Sequence, residues 1–273
     1  MQFLISGSEG PAGRSLCRQL IARGVNVIGC DAKPSDGALT APTADSPALI
    51  PFLRSTIAHF GIDVFVPTVQ DELLAVSISE QLFDATVLIS SPKAIGIAGD
   101  KWLTASTLSA LGIAVPRTYP FGQVPDEFPV VVKPRISRGG RGVQVIESAV
   151  ELNADNAGLI TQAFAPGEEF CPQLFISPTT GATTCINLRK TELKQGRVGN
   201  AAQVERAEDE QVTRLAVQTA QALDLQGPVD MDIRYTADGT PVLLEVNARF
   251  GANSAHAPEI LDAFLAEVSG ACA

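Results

Sequence analysis

The chain has 273 residues and a formal net charge of −10, with 45% hydrophobic and 18% charged residues. This length and composition predict a well-packed globular protein of one large or two to three small domains. The acidic balance argues against a nucleic-acid surface, and no apolar run approaches the length of a membrane span. We therefore expect neither nucleic acid nor a membrane as a partner.

The five cysteines are spread along the chain without a C-x-x-C pair. This spacing is typical of small buried hydrophobes in a reduced cytosol rather than of a disulfide or zinc framework. The N-terminal stretch MQFLISGSEG lacks the basic region of a signal peptide. These features predict a cytoplasmic protein.

The first ninety residues alternate predicted strands with predicted helices. The strands are QFLIS, VNVIG, DVFVP and TVLIS, residues 34–47 are predicted as a loop, and DELLAVSISEQLF is predicted as one helix. Such alternation predicts a parallel α/β layer, with a boundary between Ser90 and Gly99.

The first turn of this layer is rich in glycine. Gly7, Gly10 and Gly13 have the spacing G-x-x-G-x-x-G, and Asp31 lies where a ribose-binding acid could lie. The spacing departs from the dinucleotide fingerprint G-x-G-x-x-G. A structural turn is therefore favoured over an NAD site.

A glycine-rich basic loop follows in the stretch FPVVVKPRISRGGRGVQVI. The pattern predicts a strand that ends at Lys133, a loop, and a second strand. Glycine backbone lets N–H groups point at phosphates, and a lysine at the strand end adds a point charge. The stretch does not match a P-loop, yet it predicts a local anion site.

Upstream and downstream of this loop lie three further candidate segments. Asp100 can cap a helix that Gly112 ends, which places Lys101 in the first turn, where a solvated lysine is the default. LITQAFAPGEEF predicts a strand followed by a hinge that could read an adenine edge, although its two carboxylates could equally form a solvated turn. The basic stretch LRKTELKQGRVG is predicted as a long loop, and Gly227 is predicted to close the helix that follows it.

The stretch PVDMDIRYTADGTPVLLEVN predicts a hairpin. Period two places Glu245, Asn247 and Arg249 on one face, and the hairpin brings Asp230 or Asp232 opposite Glu245. Carboxylate and amide oxygens are suitable ligands for Mg²⁺, and arginine is a suitable ligand for phosphate. The alternative is an edge strand with a solvated polar end.

Together, four motifs in order resemble the ATP-grasp family: GDK at Lys101, VVVKP with SRGGRG, ITQAFAPGEE, and DIR with LLEVNAR. The chain is similar to single-module relatives of the carbamoyl-phosphate synthase large subunit and to amino-acid ligases. The resemblance implies a mixed α/β and α+β architecture. A pre-ATP-grasp Rossmann-like domain with a parallel sheet would span residues 1–95, a small ATP-grasp lobe with the phosphate loop residues 96–165, and a large lobe with a metal site residues 166–273.

The resemblance also implies an ATP site with phosphate-binding lysines, a mobile loop that closes over the phosphates, an adenine hinge and a ribose acceptor. In that order, the implied residues are Lys101 and Lys133; Ser137, Arg138, Gly139, Gly140 and Gly142; Gln162, Ala163 and Phe164; and Glu169.

The implied metal and catalytic residues lie near the C-terminal end. Asp232, Glu245 and Asn247 would hold Mg²⁺, for which Mn²⁺ is expected to substitute, with Asp230 as the alternative to Asp232. Arg249, with Arg189 or Lys190, would bind the γ-phosphate or the acyl phosphate. The segment FGANSAH would help to form the acceptor pocket, where His256 could act as a base or have a capping or packing role.

Some features depart from the family pattern. Ala163 stands where many relatives carry an acid, and the segment between Gly142 and Leu159 is short for the usual helix. The chain also ends soon after NARFG. A truncated acceptor site or a partner subunit is expected on these grounds. The resemblance also implies a homodimer as a possible assembly, because relatives commonly dimerise.

The reaction implied is ATP-dependent carboxylate–amine ligation through an acyl phosphate. The carboxylate would be a small molecule, an amino acid or a related metabolite, and the nucleophile an amine. The alternatives are an ATP-grasp small-molecule kinase and a non-catalytic nucleotide-binding subunit that needs a partner.

Overall fold

The computed structural model describes residues 1–120, 122–137, 139–152 and 158–271. Within these residues the strands form three sheets, one for each of three successive parts of the chain. None of the helices in this part of the chain is long and apolar enough to cross a membrane. The four cysteines in these ranges are all free.

A parallel sheet organises the N-terminal part, with the strand order β3-β2-β1-β4. This confirms the predicted parallel α/β layer. Its strands are β1 (Gln2–Ser6), β2 (Asn26–Asp31), β3 (Ala38–Thr40) and β4 (Val64–Val66), and its helices are α1 (Pro11–Ala22), α2 (Leu49–Phe60) and α3 (Leu73–Ile78), with 3₁₀ turns at Gln70–Glu72 and Glu80–Leu82.

The glycine-rich first turn is held in place by contacts with neighbouring residues. The Asp31 carboxylate accepts the N–H groups of Glu9 and Lys33 at 3.1 and 2.9 Å. A Cβ on Gly13 would lie 2.2 Å from the carbonyl oxygen of Gly7, so α1 packs directly on the turn. These contacts support a structural turn.

Three details of this layer differ from the predicted pattern. Residues 34–47 contain the short strand β3, and the predicted single helix after β4 is divided into α3 and two 3₁₀ turns. The stretch TVLIS is not a strand, since only Thr86 makes an isolated bridge to Val64. The chain leaves the sheet there because Ser90 Oγ donates to the carbonyl of Gln226 and accepts its N–H, both at 2.9 Å.

The small lobe is an antiparallel sheet with the order β5-β8-β6-β7. Asp100 caps the helix before it, since Asp100 Oδ1 accepts the N–H groups of Trp102 and Leu103 at 3.0 and 3.2 Å. The helices are α4 (Pro92–Ala98) and α5 (Lys101–Ala110), the strands are β5 (Thr118–Tyr119), β6 (Val130–Pro134), β7 (Gln144–Ile146) and β8 (Leu159–Ala163), and a 3₁₀ turn spans Ala149–Glu151.

The large lobe is built on a seven-stranded sheet with the order β11-β10-β14-β9-β12-β13, in which β15 also pairs with β14. Its strands are β9 (Glu169–Phe170), β10 (Gln173–Ile176), β11 (Thr183–Ile186), β12 (Leu188–Gln195), β13 (Val198–Arg206), β14 (Gly227–Tyr235) and β15 (Pro241–Asn247), its helices are α6 (Glu210–Ala222) and α7 (Pro258–Ala271), and a 3₁₀ turn spans Ser254–His256.

Two predictions for this lobe are wrong. The basic stretch LRKTELKQGRVG is not a loop, because β12 and β13 form an antiparallel hairpin that turns at Gly196 with a φ of 76°. Gly227 does not close α6 either; it is the first residue of β14, with a φ of 74°. A Cβ on Gly227 would lie 2.7 Å from the carbonyl oxygen of Leu88, so the N-terminal layer requires glycine there.

Opposite faces of β1 pack into two hydrophobic cores. Leu4 lies in a core with residues of α2, α6 and β14, whereas Phe3 and Ile5 pack with Phe250 and Phe264 of the large lobe. The small lobe has a separate core around Val130. The N-terminal layer and the large lobe are thus packed together. A cleft separates the large lobe from the small lobe.

Candidate active site

A cleft lies between the small and large lobes and is lined by residues of both. Of the residues predicted to form the site, ten line it: Lys101, Lys133, Ser137, Gly140, Gln162, Ala163, Phe164, Glu169, Asp232 and Glu245. Residues far apart in the chain are therefore brought together as the motifs predict.

The glycine-rich loop between β6 and β7 forms one wall of the cleft. Gly139, Gly140 and Gly142 all have φ values near +70°, a conformation that L side chains rarely adopt. A Cβ on Gly140 would lie 3.2 Å from the Cα of Gly199, at the tip of the β12–β13 hairpin. Arg138, also predicted here, lies outside the described residues.

Lys101 is buried beside this loop, so the default expectation of a solvated lysine is wrong. Its Nζ donates to the Ser137 carbonyl at 3.0 Å and lies 3.1 Å from Glu245 Oε1. Asp100, the residue before it, caps α5 and binds Arg135 just after the end of β6. This ion pair joins the start of α5 to the small-lobe sheet, and so holds Lys101 beside the cleft.

Lys133, at the end of β6, is the second buried lysine. Its Nζ donates to the carbonyl of Leu244 at 3.2 Å. Burial lowers the pKa of Lys133 to about 8, although Glu245 opposes this effect. An ammonium group with so few acceptors is suited to an anionic ligand.

The hinge after β8 presents one free backbone donor. The N–H groups of Ala163 and Phe164 donate to the carbonyls of Arg117 and Pro129, at 2.8 and 3.1 Å, and the Gln162 amide donates to Thr118 Oγ1 at 2.8 Å.

The N–H of Ala165, which lines the cleft, makes no hydrogen bond to any described residue. The free donor thus lies one residue beyond the predicted trio of Gln162, Ala163 and Phe164. No feature of the sequence distinguishes the Ala165 N–H, because only the pairing of the neighbouring strands determines which donors are used.

Glu169 is buried in a network of two cations. Lys190 Nζ lies 2.6 Å from its Oε1, and Arg234 Nη1 lies 3.2 Å from its Oε2. Burial raises the pKa of Glu169, and the two cations oppose this effect. Glu168, the neighbouring acid, is instead exposed and binds Arg189.

The candidate metal ligands lie on the hairpin of β14 and β15. Asp232 is directly opposite Glu245, and Asp230 is directly opposite Asn247. Carboxylates in such a cross-strand pair repel each other unless they are neutralised. Here Lys190 Nζ lies 2.6 Å from Asp232 Oδ1, and Lys101 balances Glu245.

This set of oxygen atoms fits the preference of Mg²⁺ for hard ligands. It consists of two carboxylates and one amide, and the described residues contain no cluster of three or more His, Cys, Asp or Glu side chains that could hold a metal. A metal here would complete its coordination with phosphate and water oxygens.

Lys190 and Arg189 lie on opposite faces of β12, because successive residues of a strand alternate. Lys190 is buried under the cleft; burial disfavours its charge, but Asp232 and Glu169 raise its pKa above the ordinary value. Arg189 points to the exposed side, where it binds Glu168 and Glu205. The structure thus brings Lys190, and not Arg189, to the predicted site.

Arg249 follows the end of β15 and is nearly buried. Its Nη2 donates to Asn247 Oδ1 at 3.0 Å, and its Nη1 donates to the carbonyl of Phe250 at 2.8 Å. His256 lies farther along, exposed in a 3₁₀ turn, where its carbonyl accepts from Arg206.

Arg234 is a further residue of this site that the motifs did not single out. It lines the cleft, and its guanidinium lies 5.0 Å from the ring centroid of Phe164. The signal was present in the sequence, because Asp230, Asp232 and Arg234 alternate along one strand and so share a face.

The family model of the ATP-grasp domain matches residues 98–253, which is more than half of the chain. The chain belongs to the ATP-grasp family. The match begins just before α5 and ends just after Arg249, so it includes the whole cleft. No sequence among the curated proteins compared matches this chain.

Solved structures of ATP-grasp enzymes share the fold. The L-amino acid ligase from Bacillus licheniformis is 20% identical with a TM-score of 0.73, over 94% of this chain and 69% of that chain. The carboxyaminoimidazole ribonucleotide synthase from Aspergillus clavatus, complexed with ATP, is 16% identical with a TM-score of 0.71, over 96% and 77%. The biotin carboxylase from Campylobacter jejuni is 13% identical with a TM-score of 0.71, over 94% and 67%.

These matches confirm the family resemblance and the mixed α/β fold class. The ATP-grasp family and the ligases among its solved structures support the expectation of an ATP-dependent ligase. At identities this low, the individual substrates of those enzymes do not transfer to this chain.

Proposed function

We propose that this ATP-grasp protein is an ATP-dependent carboxylate–amine ligase that acts through an acyl phosphate on a small carboxylate, an amino acid or a related metabolite. The observation that supports this best is the pair of opposed carboxylates, Asp232 and Glu245, beside two buried lysines in one cleft. Phosphoryl transfer requires such a combination of metal-binding oxygens and phosphate-binding cations.

The nucleotide would lie along the cleft, with its base at the hinge. The free N–H of Ala165 would donate to the adenine edge, and Phe164 would pack near the base. Glu169 would accept the ribose hydroxyls, held in place by Lys190 and Arg234.

Lys101 and Lys133 would bind the phosphates under the glycine-rich loop. Both lysines are buried and line the cleft. Asp232, Glu245 and Asn247 would hold Mg²⁺ or Mn²⁺, which supplies neutralising charge to the phosphates when it is bound with ATP.

The substrate carboxylate would attack the γ-phosphorus of ATP, and ADP would leave. The amine would then attack the carbonyl carbon of the acyl phosphate and displace phosphate. The protein contributes positioning and charge rather than covalent chemistry. Arg249, at the metal end of the cleft, would hold the transferred phosphoryl group and then the acyl phosphate.

The experiment is a calorimetric titration of ATP with and without Mg²⁺, followed by a screen of carboxylates and amines for release of ADP. An amide product with ADP and phosphate supports the ligase. A stable phosphoester would instead identify a small-molecule kinase, and MgATP binding without turnover would identify a nucleotide-binding subunit that needs a partner.

Glu245→Gln tests the metal assignment. Because the change removes a charged oxygen ligand but keeps the volume, we expect ATP turnover to fall at least about 100-fold while the fold is retained. Steady-state kinetics and a thermal melt measure the two effects, with Glu208→Gln on the exposed surface as the control. Wild-type turnover in the Glu245 variant would exclude the role.

A further inference from the structure

A second polar cluster adjoins the opposed carboxylates, at the next cross-strand pair on the same face of the β14–β15 hairpin. It consists of Gln173, Asp230, Asn247 and Arg249, which come from β10, β14 and the end of β15. Gln173 and Asn247 are almost completely buried. None of the steps described above uses Gln173 or Asp230.

The cluster is a connected set of contacts centred on Asp230. Gln173 Nε2 donates to Asp230 Oδ1 and, at 3.0 Å, to the carbonyl of Cys171. Asp230 Oδ2 accepts from Asn247 Nδ2 at 3.5 Å and lies 3.7 Å from Arg249 Nη1.

Gly251 makes room for this cluster. A Cβ at this position would lie 2.6 Å from Gln173 Oε1 and 2.8 Å from Asp230 Oδ1. The turn that follows Arg249 is therefore pressed against Asp230 and Gln173, so these two side chains also support the backbone that carries the arginine.

The chemistry of Asp230 decides which way the Asn247 amide points. An ionised carboxylate only accepts hydrogen bonds, so it selects the NH₂ end of the amide. The Oδ1 end of the Asn247 amide is then left to accept a hydrogen bond from Arg249 Nη2, at 3.0 Å, on the side where the metal ligands lie. An amide at position 230 could satisfy either orientation of Asn247 and would lose the charge that balances Arg249.

We propose that Asp230, supported by Gln173, is a positioning residue that fixes the Asn247 amide and the Arg249 guanidinium for phosphoryl transfer. This inference rests on the proposed function. It assigns the Asp230 carboxylate to the support of Asn247 and Arg249, the two side chains that its Oδ2 approaches, rather than to the metal.

The main test is Asp230→Asn in the full-length chain. We expect kcat to fall about 10- to 100-fold, as for other residues that orient active-site ligands, with less than about a twofold change in KM for ATP. An unchanged kcat in a folded variant would overturn the inference. Asp36→Asn, an exposed carboxylate change, is the matched control.

A double-mutant cycle shows whether Asp230 acts through the arginine. In an Arg249→Ala background, Asp230→Asn should cost less than about a further twofold in kcat, because non-additivity is the signature of residues that act as one unit. Equal losses in both backgrounds would contradict the proposal. Gln173→Met keeps the volume, removes the donor to Asp230 and should show a smaller effect of the same kind, which serves if the Asp230 variant is unstable.

A readout without activity separates this inference from the proposed function. In NMR spectra of the wild-type protein, the Asn247 amide protons and the Arg249 guanidinium protons should be protected from exchange with water, and Asp230→Asn should remove this protection. Rapid exchange in the wild type would overturn the positioning role whatever the reaction. Protection in a protein without MgATP-dependent turnover would instead leave the positioning role standing and overturn the ligase.

Discussion

At the scale of single residues, Glu72 in the N-terminal layer is the clearest titratable group outside the cleft. It is buried at the end of the 3₁₀ turn Gln70–Glu72, where its carboxylate accepts from Ser6 Oγ and from the N–H of Val69. Burial raises the pKa of Glu72 from 4.5 to about 7, and these hydrogen bonds oppose the effect only in part. The folded state therefore keeps a proton that the unfolded state releases at lower pH.

The sign of the pH dependence follows from this difference. Between pH 4.5 and 7 the folded state binds more protons at Glu72, so the free energy of unfolding falls as the pH rises through that window. The loss reaches roughly 3 kcal/mol above pH 7. Glu72→Gln should thus resemble the wild type at pH 5 and exceed its stability at pH 8 in urea unfolding. Glu208→Gln is the exposed control, and an equal difference at both pH values would contradict this prediction.

The residue scale also shows where sequence reasoning was sufficient. The motifs that contain Lys133 and Glu245 were enough, through the family resemblance, to predict that both residues belong to one site, and both line the cleft. The burial of Lys101 was not visible, because it depends on Glu245, which lies more than a hundred residues away and approaches only in the folded chain.

Among the elements, the β12–β13 hairpin is one part of the large lobe that contacts the small lobe. Arg197, in its turn, forms an ion pair with Glu147 just after β7, and its guanidinium lies 4.5 Å from the ring centroid of Phe164 at the hinge. Arg234 Nη1 donates to the Arg197 carbonyl at 2.7 Å. The hairpin tip is thus joined to both the small lobe and the hinge.

Arg197→Ala should weaken ATP binding by about three- to tenfold, because a cation–π contact of this kind contributes about 1 kcal/mol. Glu147→Ala should change the affinity less than about threefold, since an exposed ion pair is worth little. Calorimetric titration measures both, with Lys194→Ala on the same hairpin as the control. An unchanged affinity of the Arg197 variant for ATP would refute a role of the hairpin tip in ATP binding.

This hairpin was also the element that the sequence pattern described least well. The run of charges in LRKTELKQGRVG is typical of a solvated loop. No clear alternation of apolar and polar residues marks the stretch as a strand. Lys190 occupies a buried position that would usually be apolar, because Glu169 and Asp232 neutralise it there. Lys190 is buried and Arg189 is exposed because successive residues of a strand point to opposite faces.

At the scale of the whole molecule, the N-terminal layer and the large lobe share a core. Phe264 of α7 stacks edge-on against Phe175 and Phe250, and the same cluster contains Phe3 and Ile5 of β1. The division of the chain at residues 95 and 165 is still a prediction, and the shared core makes it one about sequence segments rather than independently folding units.

Phe264→Ala should reduce the free energy of unfolding by about 3–5 kcal/mol, because it leaves a large cavity in that core. Far-UV circular dichroism should report a lower urea midpoint. Val150→Ala, at a side chain that is 96% exposed, is the control. An unchanged midpoint in the Phe264 variant would contradict the shared core.

Periodicity, glycine spacing and residue chemistry act over short distances, and they were enough to predict the parallel layer, the glycine-rich loop and the residue types of the candidate site. The three-dimensional fold was needed to distinguish Asp232 from Asp230 as the partner of Glu245, to place Lys190 and not Arg189 under the cleft, and to show that TVLIS lies outside the parallel sheet. Each of these depends on a contact between distant segments: the register of β14 with β15, the ion pairs beneath β12, and the hydrogen bonds of Ser90 to Gln226. Local patterns contain no information about which distant partner is available to neutralise a charge or to accept a hydrogen bond.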